Sequence, residues 1–82
     1  MAILNITYQG VSVDYSRALD DNLSDADIKR IAIEVIRAGE VPGFSLQEVG
    51  DRAFMYFVVD RFDTPAGGKR LYLRPKVPFG VI

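Results

Sequence analysis

Neither cysteine nor histidine occurs anywhere in these 82 residues. Without thiols there is no disulfide framework and no thiolate metal site, and such a chain suits a reducing compartment. Without imidazole the commonest general base at neutral pH is missing, and Ser12, Ser16, Ser24 and Ser45 have no histidine to activate them. A general acid or base would have to be a carboxylate or lysine shifted by burial, or one of the four tyrosines, and no spacing sets up such a pair. Asp20, Asp21, Asp25 and Asp27 lie close together, but no Asp-x-Asp-x-Asp-Gly loop follows, and acids at a helix start are explained by the helix dipole. These absences point away from an enzyme and from any cofactor or metal. Long apolar runs are missing too: the longest, residues 53–59, is too short to span a bilayer. The opening Met1-Ala2-Ile3-Leu4-Asn5 has neither the basic start nor the long apolar centre of a secretory signal. The expectation is a soluble cytoplasmic protein with no membrane partner.

What is present is the composition of one small globular domain, 49% hydrophobic and 26% charged. That size leaves little room for a deep enclosed site. The net charge of −1 hides an asymmetry: residues 1–51 carry nine acids against four bases, and residues 52–82 two acids against six bases. Either the fold presents an acidic and a basic side, the latter suited to an acidic partner, or the two halves interleave and the charges solvate a common surface.

The clearest local signal is a helix over residues 23–39. Ser24 is placed as N-cap with Asp27 three residues on, Leu23 and Ile28 have the spacing of a hydrophobic staple, and Gly39 followed by Pro42 supplies the stop. Ile28, Ile31, Ala32 and Val35 make one apolar face, broadened by Ile33 and Ile36, so the helix should cover a sheet. Upstream, Ala2, Leu4, Ile6 and Tyr8 alternate with Ile3, Asn5 and Thr7. Gln9-Gly10 is a turn, and Val11, Val13 and Tyr15 alternate again, so residues 2–15 are predicted to form a hairpin.

Downstream, residues 40–52 read as an irregular connection with a short extended piece near Phe44 to Val49. Residues 54–62 and 70–74 then bracket Asp63-Thr64-Pro65-Ala66-Gly67-Gly68, which is turn chemistry between aromatic and β-branched runs, and a second hairpin is predicted. A competing pattern exists, because Phe54, Phe57, Val58, Arg61 and Phe62 also fit helical spacing with Asp51 as N-cap.

Two hairpins around one helix, ββαββ, is an α+β order that resembles the β-grasp of the ubiquitin-like family, including small bacterial ubiquitin-like proteins encoded beside activating enzymes and metal-dependent deconjugating proteases. The residues carrying the resemblance are the hairpin at 2–15, the helix start Leu23-Ser24-Asp25-Ala26-Asp27-Ile28, the hairpin at 54–74 and the tail Pro75-Lys76-Val77-Pro78-Phe79-Gly80. The resemblance implies a protein modifier whose carboxylate is activated at a terminal glycine. Here the chain ends Phe79-Gly80-Val81-Ile82, so that role requires a processing protease to expose Gly80, and an activating enzyme thereafter. Gly67-Gly68 is internal and reads as a turn.

Three binding readings follow. If residues 54–59 are a strand, Phe54, Tyr56 and Val58 point one way and Met55, Phe57 and Val59 the other, so both faces want cover. Ubiquitin-like domains commonly present an apolar patch on the open sheet face, which makes Met55, Phe57 and Val59, with the tail residues Lys76, Phe79 and Gly80, the expected protein-binding set. The 40–52 connection folded across that face, or a homo-oligomer, would also cover it. The alternative partner is a nucleic acid held by Lys69, Arg70, Tyr72, Arg74 and Lys76, where bases interleave with an aromatic in what would be an edge strand. A structural subunit of a larger assembly is the third reading.

Overall fold

The alternating residues at the N-terminus form strand β1 (Ala2–Tyr8), which turns back into β2 (Val11–Asp14) with Tyr8 opposite Val11. Gln9 and Gly10 both take positive φ, 50° and 81°, the backbone of a two-residue turn whose twist matches that of the strands it joins. The computed structural model describes residues 1–44 and 49–76.

Helix α1 (Asp25–Arg37) begins as its sequence dictates. The Ser24 hydroxyl accepts from the Asp27 amide at 3.1 Å. Its end is a complete Schellman arrangement: the Gly39 amide donates to the Ile36 carbonyl, the Glu40 amide to the Val35 carbonyl, and Gly39 takes φ 72°. Ile28, Ala32, Ile33, Val35 and Ile36 are buried beneath it, the broad stripe that the sequence implied.

The second hairpin is β3 (Phe57–Asp63) and β4 (Lys69–Pro75), in register from Phe57 opposite Pro75 to Asp63 opposite Lys69. The Thr64 amide donates to the Gly68 carbonyl, and the Gly68 amide donates to the Thr64 hydroxyl, so Gly67-Gly68 is a turn as expected. The four strands make one mixed sheet in the order β2-β1-β4-β3, with β1 and β4 parallel at its centre. Beneath the helix Ala2, Leu4 and Ile6 of β1 meet Leu71 and Leu73 of β4, all fully buried. Burying each leucine or isoleucine contributes about 1.5–3 kcal/mol, so this layer is the main source of stability.

The structure corrects the sequence reading at three points. Residues 51–56 are turns, neither the start of a strand nor a second helix. Amides of Ala53, Met55 and Phe57 each donate to the carbonyl three residues earlier, and strand geometry begins only at Phe57. Second, β4 is an interior strand, paired with β1 on one side and β3 on the other, and the predicted edge is occupied instead by β3 and β2. Third, the described parts of the irregular connection pack toward the helix side of the sheet: Val41 and Val49 are buried in the core, with Phe54 just beyond them, and Phe44 lies against it. The extended piece predicted near Phe44 to Val49 falls largely on residues outside those described.

The two charge-biased halves interleave. Arg61 pairs with Asp25 of the helix, and Arg70 pairs with Asp14 of β2 at 2.8 Å.

Candidate functional site

Alternation along the strands sends a second set of side chains to the face away from the helix. From β1 come Ile3, Asn5 and Thr7, from β2 Ser12 and Asp14, from β4 Arg70, Tyr72 and Arg74, and from β3 Val58, Asp60 and Phe62, as the registers require. At the rim, Asn5, Thr7, Ser12 and Asp14 form a hydrogen-bonded polar strip, with the Asn5 amide donating to Asp14 at 2.9 Å. Two large apolar side chains stand exposed among these polar groups, one on β3 and one on β1. Phe62 is 56% exposed and meets Tyr72 edge to face, with ring centroids 5.6 Å apart, and Ile3 is 42% exposed.

The cations on this face are not free. The Arg70 guanidinium lies over the Tyr72 ring at 5.4 Å, donates to the Tyr72 hydroxyl at 2.9 Å and pairs with Asp14. The Tyr72 bond above all, and Asp14 after it, push the Arg70 pKa above its already high ordinary value. Arg74 pairs with Asp60 on the neighbouring strand. Lys69, which alternation places on the other face with Leu71 and Leu73, pairs with Asp63 at 2.8 Å, an exposed contact that raises the lysine and lowers the carboxyl. Thr7, Asp60, Phe62, Tyr72 and Arg74 enclose an open hollow of about 440 Å³. It offers an aromatic wall, an ion pair and a hydroxyl.

The protein-binding residues expected from the sequence do not gather on this face. Phe57 and Val59 pack against the core on the helix side, Val59 opposite the buried Leu73. Met55 sits in the preceding turn, 45% exposed, its carbonyl accepting from the Lys29 ammonium at 3.4 Å. The predicted alternation was one residue out of phase: the residues turned outward are Val58, Asp60 and Phe62. Lys76 is exposed at the end of the described chain, while Phe79 and Gly80 lie outside the described residues.

The alternative nucleic-acid set is brought together in part. Arg70, Tyr72 and Arg74 do share the open face, as their spacing implied. Both arginines are held by carboxylates, which a phosphate would have to displace.

The sequence reading missed Ile3, Val58 and Phe62. The signal was present, since Phe62 lies an even number of residues from Asp60 and Val58, but using it required knowing where the strand starts. Among the described residues no cluster of three or more acidic side chains is positioned to hold a metal ion, and no helix is long and apolar enough to cross a membrane. Comparison with protein-family models, with curated proteins and with solved structures returned no match for this chain.

Proposed function

We propose that this chain is a small non-enzymatic binding protein of the ubiquitin-like, β-grasp kind, which docks on a partner protein through the open face of its sheet. The strand order β2-β1-β4-β3, with the central pair parallel and one helix across the other face, supports the β-grasp reading. The observation that carries the binding reading is the exposure of Phe62 against Tyr72, with Arg70 and Arg74 on the neighbouring strand already paired. An aromatic anchor flanked by paired arginines is the composition of an interface centre.

The modifier role is the specific form of this proposal. A processing protease would remove Val81 and Ile82, and an activating enzyme would then act on the Gly80 carboxylate in the cytosol. Intact mass of the protein recovered from its native host tests this directly. A species ending at Gly80, or adducts heavier by the trimmed chain, supports the modifier role. An untrimmed and unconjugated chain removes it and leaves the binding face to stand alone.

The face itself is tested by Phe62→Asp. Partner capture should be lost while the thermal unfolding curve stays close to that of the parent, because Phe62 lies outside the core. Undiminished capture would sink the proposal. If the variant instead abolishes self-association of the pure protein, the occupant of the face is a second copy of the chain. Binding that falls steeply with salt and is lost in Arg70→Ala and Arg74→Ala would favour the nucleic-acid alternative.

A further inference from the structure

On the opposite side of the molecule a second groove runs between α1 and the turns of residues 51–56. Its helix wall is Ala26, Lys29, Arg30, Ile33 and Arg37, residues at i, i+3, i+4, i+7 and i+11, a single stripe about 16 Å long. The floor is apolar: Ile33 and Phe54 are buried side chains that reach the groove from the core, and Met55 forms the far lip. The volume of this half-open groove is about 580 Å³, within the range of clefts that take a specific ligand.

The charge of this groove runs against the rest of its half of the chain. Residues 1–51 are strongly acidic, yet three of their four bases, Lys29, Arg30 and Arg37, line this one groove, and Arg52 joins them from the facing turn. Among the described lining residues, Glu34 and Asp51 oppose them. Arg37 is fixed in place, donating to the Val49 carbonyl at 2.7 Å and pairing with Asp51 at 3.0 Å. Arg30 pairs with the exposed Asp27, an arrangement worth only a few tenths of a kcal/mol on a helix surface and easily exchanged. Among the described residues the Lys29 ammonium donates to the Met55 backbone carbonyl.

We infer that this groove binds an acidic segment of a partner protein, one that lays an aliphatic or aromatic side chain on Ile33, Phe54 and Met55 and sets its carboxylates against Lys29, Arg30 and Arg52. Charge complementarity selects this occupant. An apolar floor alone would accept any hydrophobic segment, and a basic rim alone any anion, but four cations around an apolar floor match a segment that alternates the two chemistries. A second copy of this chain fits less well, because the apolar side chains exposed on its sheet face adjoin paired charges rather than free carboxylates. The site is independent of the sheet face and stands whether or not that face binds.

The test uses the full chain and a fluorescein-labelled peptide in which aspartates and glutamates flank one phenylalanine and one leucine, with a control peptide carrying the corresponding amides. Anisotropy should report binding of the acidic peptide, weakened by added salt, and at least about tenfold weaker for the control. Amide shift changes should map to α1 and residues 49–56. Arg30→Glu with Arg52→Glu, both exposed and outside the core, should reduce affinity by about tenfold or more with unchanged circular dichroism. Phe62→Asp should leave this binding intact, which separates it from the sheet-face proposal. Equal binding of both peptides, shifts confined to the sheet face, or no binding to the parent would each overturn the inference. So would loss of self-association in the double variant with no peptide binding, which would make a second copy the occupant.

Discussion

Phe54 lies edge-on to Phe57, ring centroids 4.8 Å apart, and this contact pins the turn before β3 to the first residue of the strand it feeds. Tyr8 closes the cluster from the end of β1, 5.3 Å from Phe54. The three rings join the irregular connection to the sheet at the point where the backbone changes from turns to strand.

Replacing Phe54 by alanine should therefore cost about 3–5 kcal/mol, the usual penalty for emptying a buried phenylalanine site. A domain of this size has about 4–12 kcal/mol in total, so the urea midpoint should fall by a large fraction. Tyr56→Ala, two residues away and 80% exposed, should change stability by no more than about 0.5 kcal/mol. If residues 54–56 were strand, the two side chains would share a face and the two variants would behave alike.

Gln9 holds a positive φ that glutamine adopts reluctantly. Gln9→Asn keeps the turn and installs the Asn-Gly pair that its geometry favours, so stability should rise by about 0.5 kcal/mol. A lower melting temperature in the variant would show that the turn does not have this conformation in solution.

A Cβ added at Gly68 would lie 2.7 Å from the Met1 carbonyl oxygen, the same oxygen that accepts from the Lys69 amide. Gly68→Ala should cost about 1–3 kcal/mol, since the obstacle is backbone and must move as a whole. Hydrogen exchange at the Lys69 amide should accelerate with it, and an unchanged rate would mean the two backbones are not this close.

Tyr15 is 7% exposed, with its hydroxyl donating to the Glu40 carboxylate at 3.3 Å. Burial first, and the Glu40 charge second, raise its pKa above the ordinary value near 10. The folded chain thus holds this proton more tightly than the unfolded chain. The resulting stability is fully present below the unfolded pKa and is lost as pH rises through the folded one. Lys69, raised by Asp63, adds to the loss in alkaline solution. Urea midpoints should fall on alkaline titration, and less steeply in Tyr15→Phe; parallel curves would refute the assignment.

The legible parts of this fold were those specified by neighbouring residues. Ser24, Asp27 and Gly39 define the helix within a turn at each end, and Gln9-Gly10 and Gly67-Gly68 mark two reversals without reference to anything distant. What was not legible depended on a change of period. Phe54 and Phe57 share the core side because tight turns bring residues three apart into line, whereas Phe57 and Val59 share it because a strand repeats every two. Reading alternation straight through from Phe54 put the outward set out of phase and hid Val58 and Phe62. The interior position of β4 was equally invisible, because Arg70, Tyr72 and Arg74 look like edge protection until their partners on β2 and β3 are known. The helix-side groove escaped for a similar reason: Arg52 joins Lys29 and Arg30 only after the connection has folded back.

The central pairing of β1 with β4 has a consequence for synthesis. As the chain leaves the ribosome, Leu4 and Ile6 emerge long before Leu71 and Leu73, the residues beside which they will lie. The early hairpin and helix can form locally, but a lone hairpin is at best marginally stable in water. The nascent chain therefore carries an apolar strand without its central neighbour until β4 has been made. Completion of β4 both fills the middle of the sheet and removes the surface on which aggregation, or a chaperone, would act.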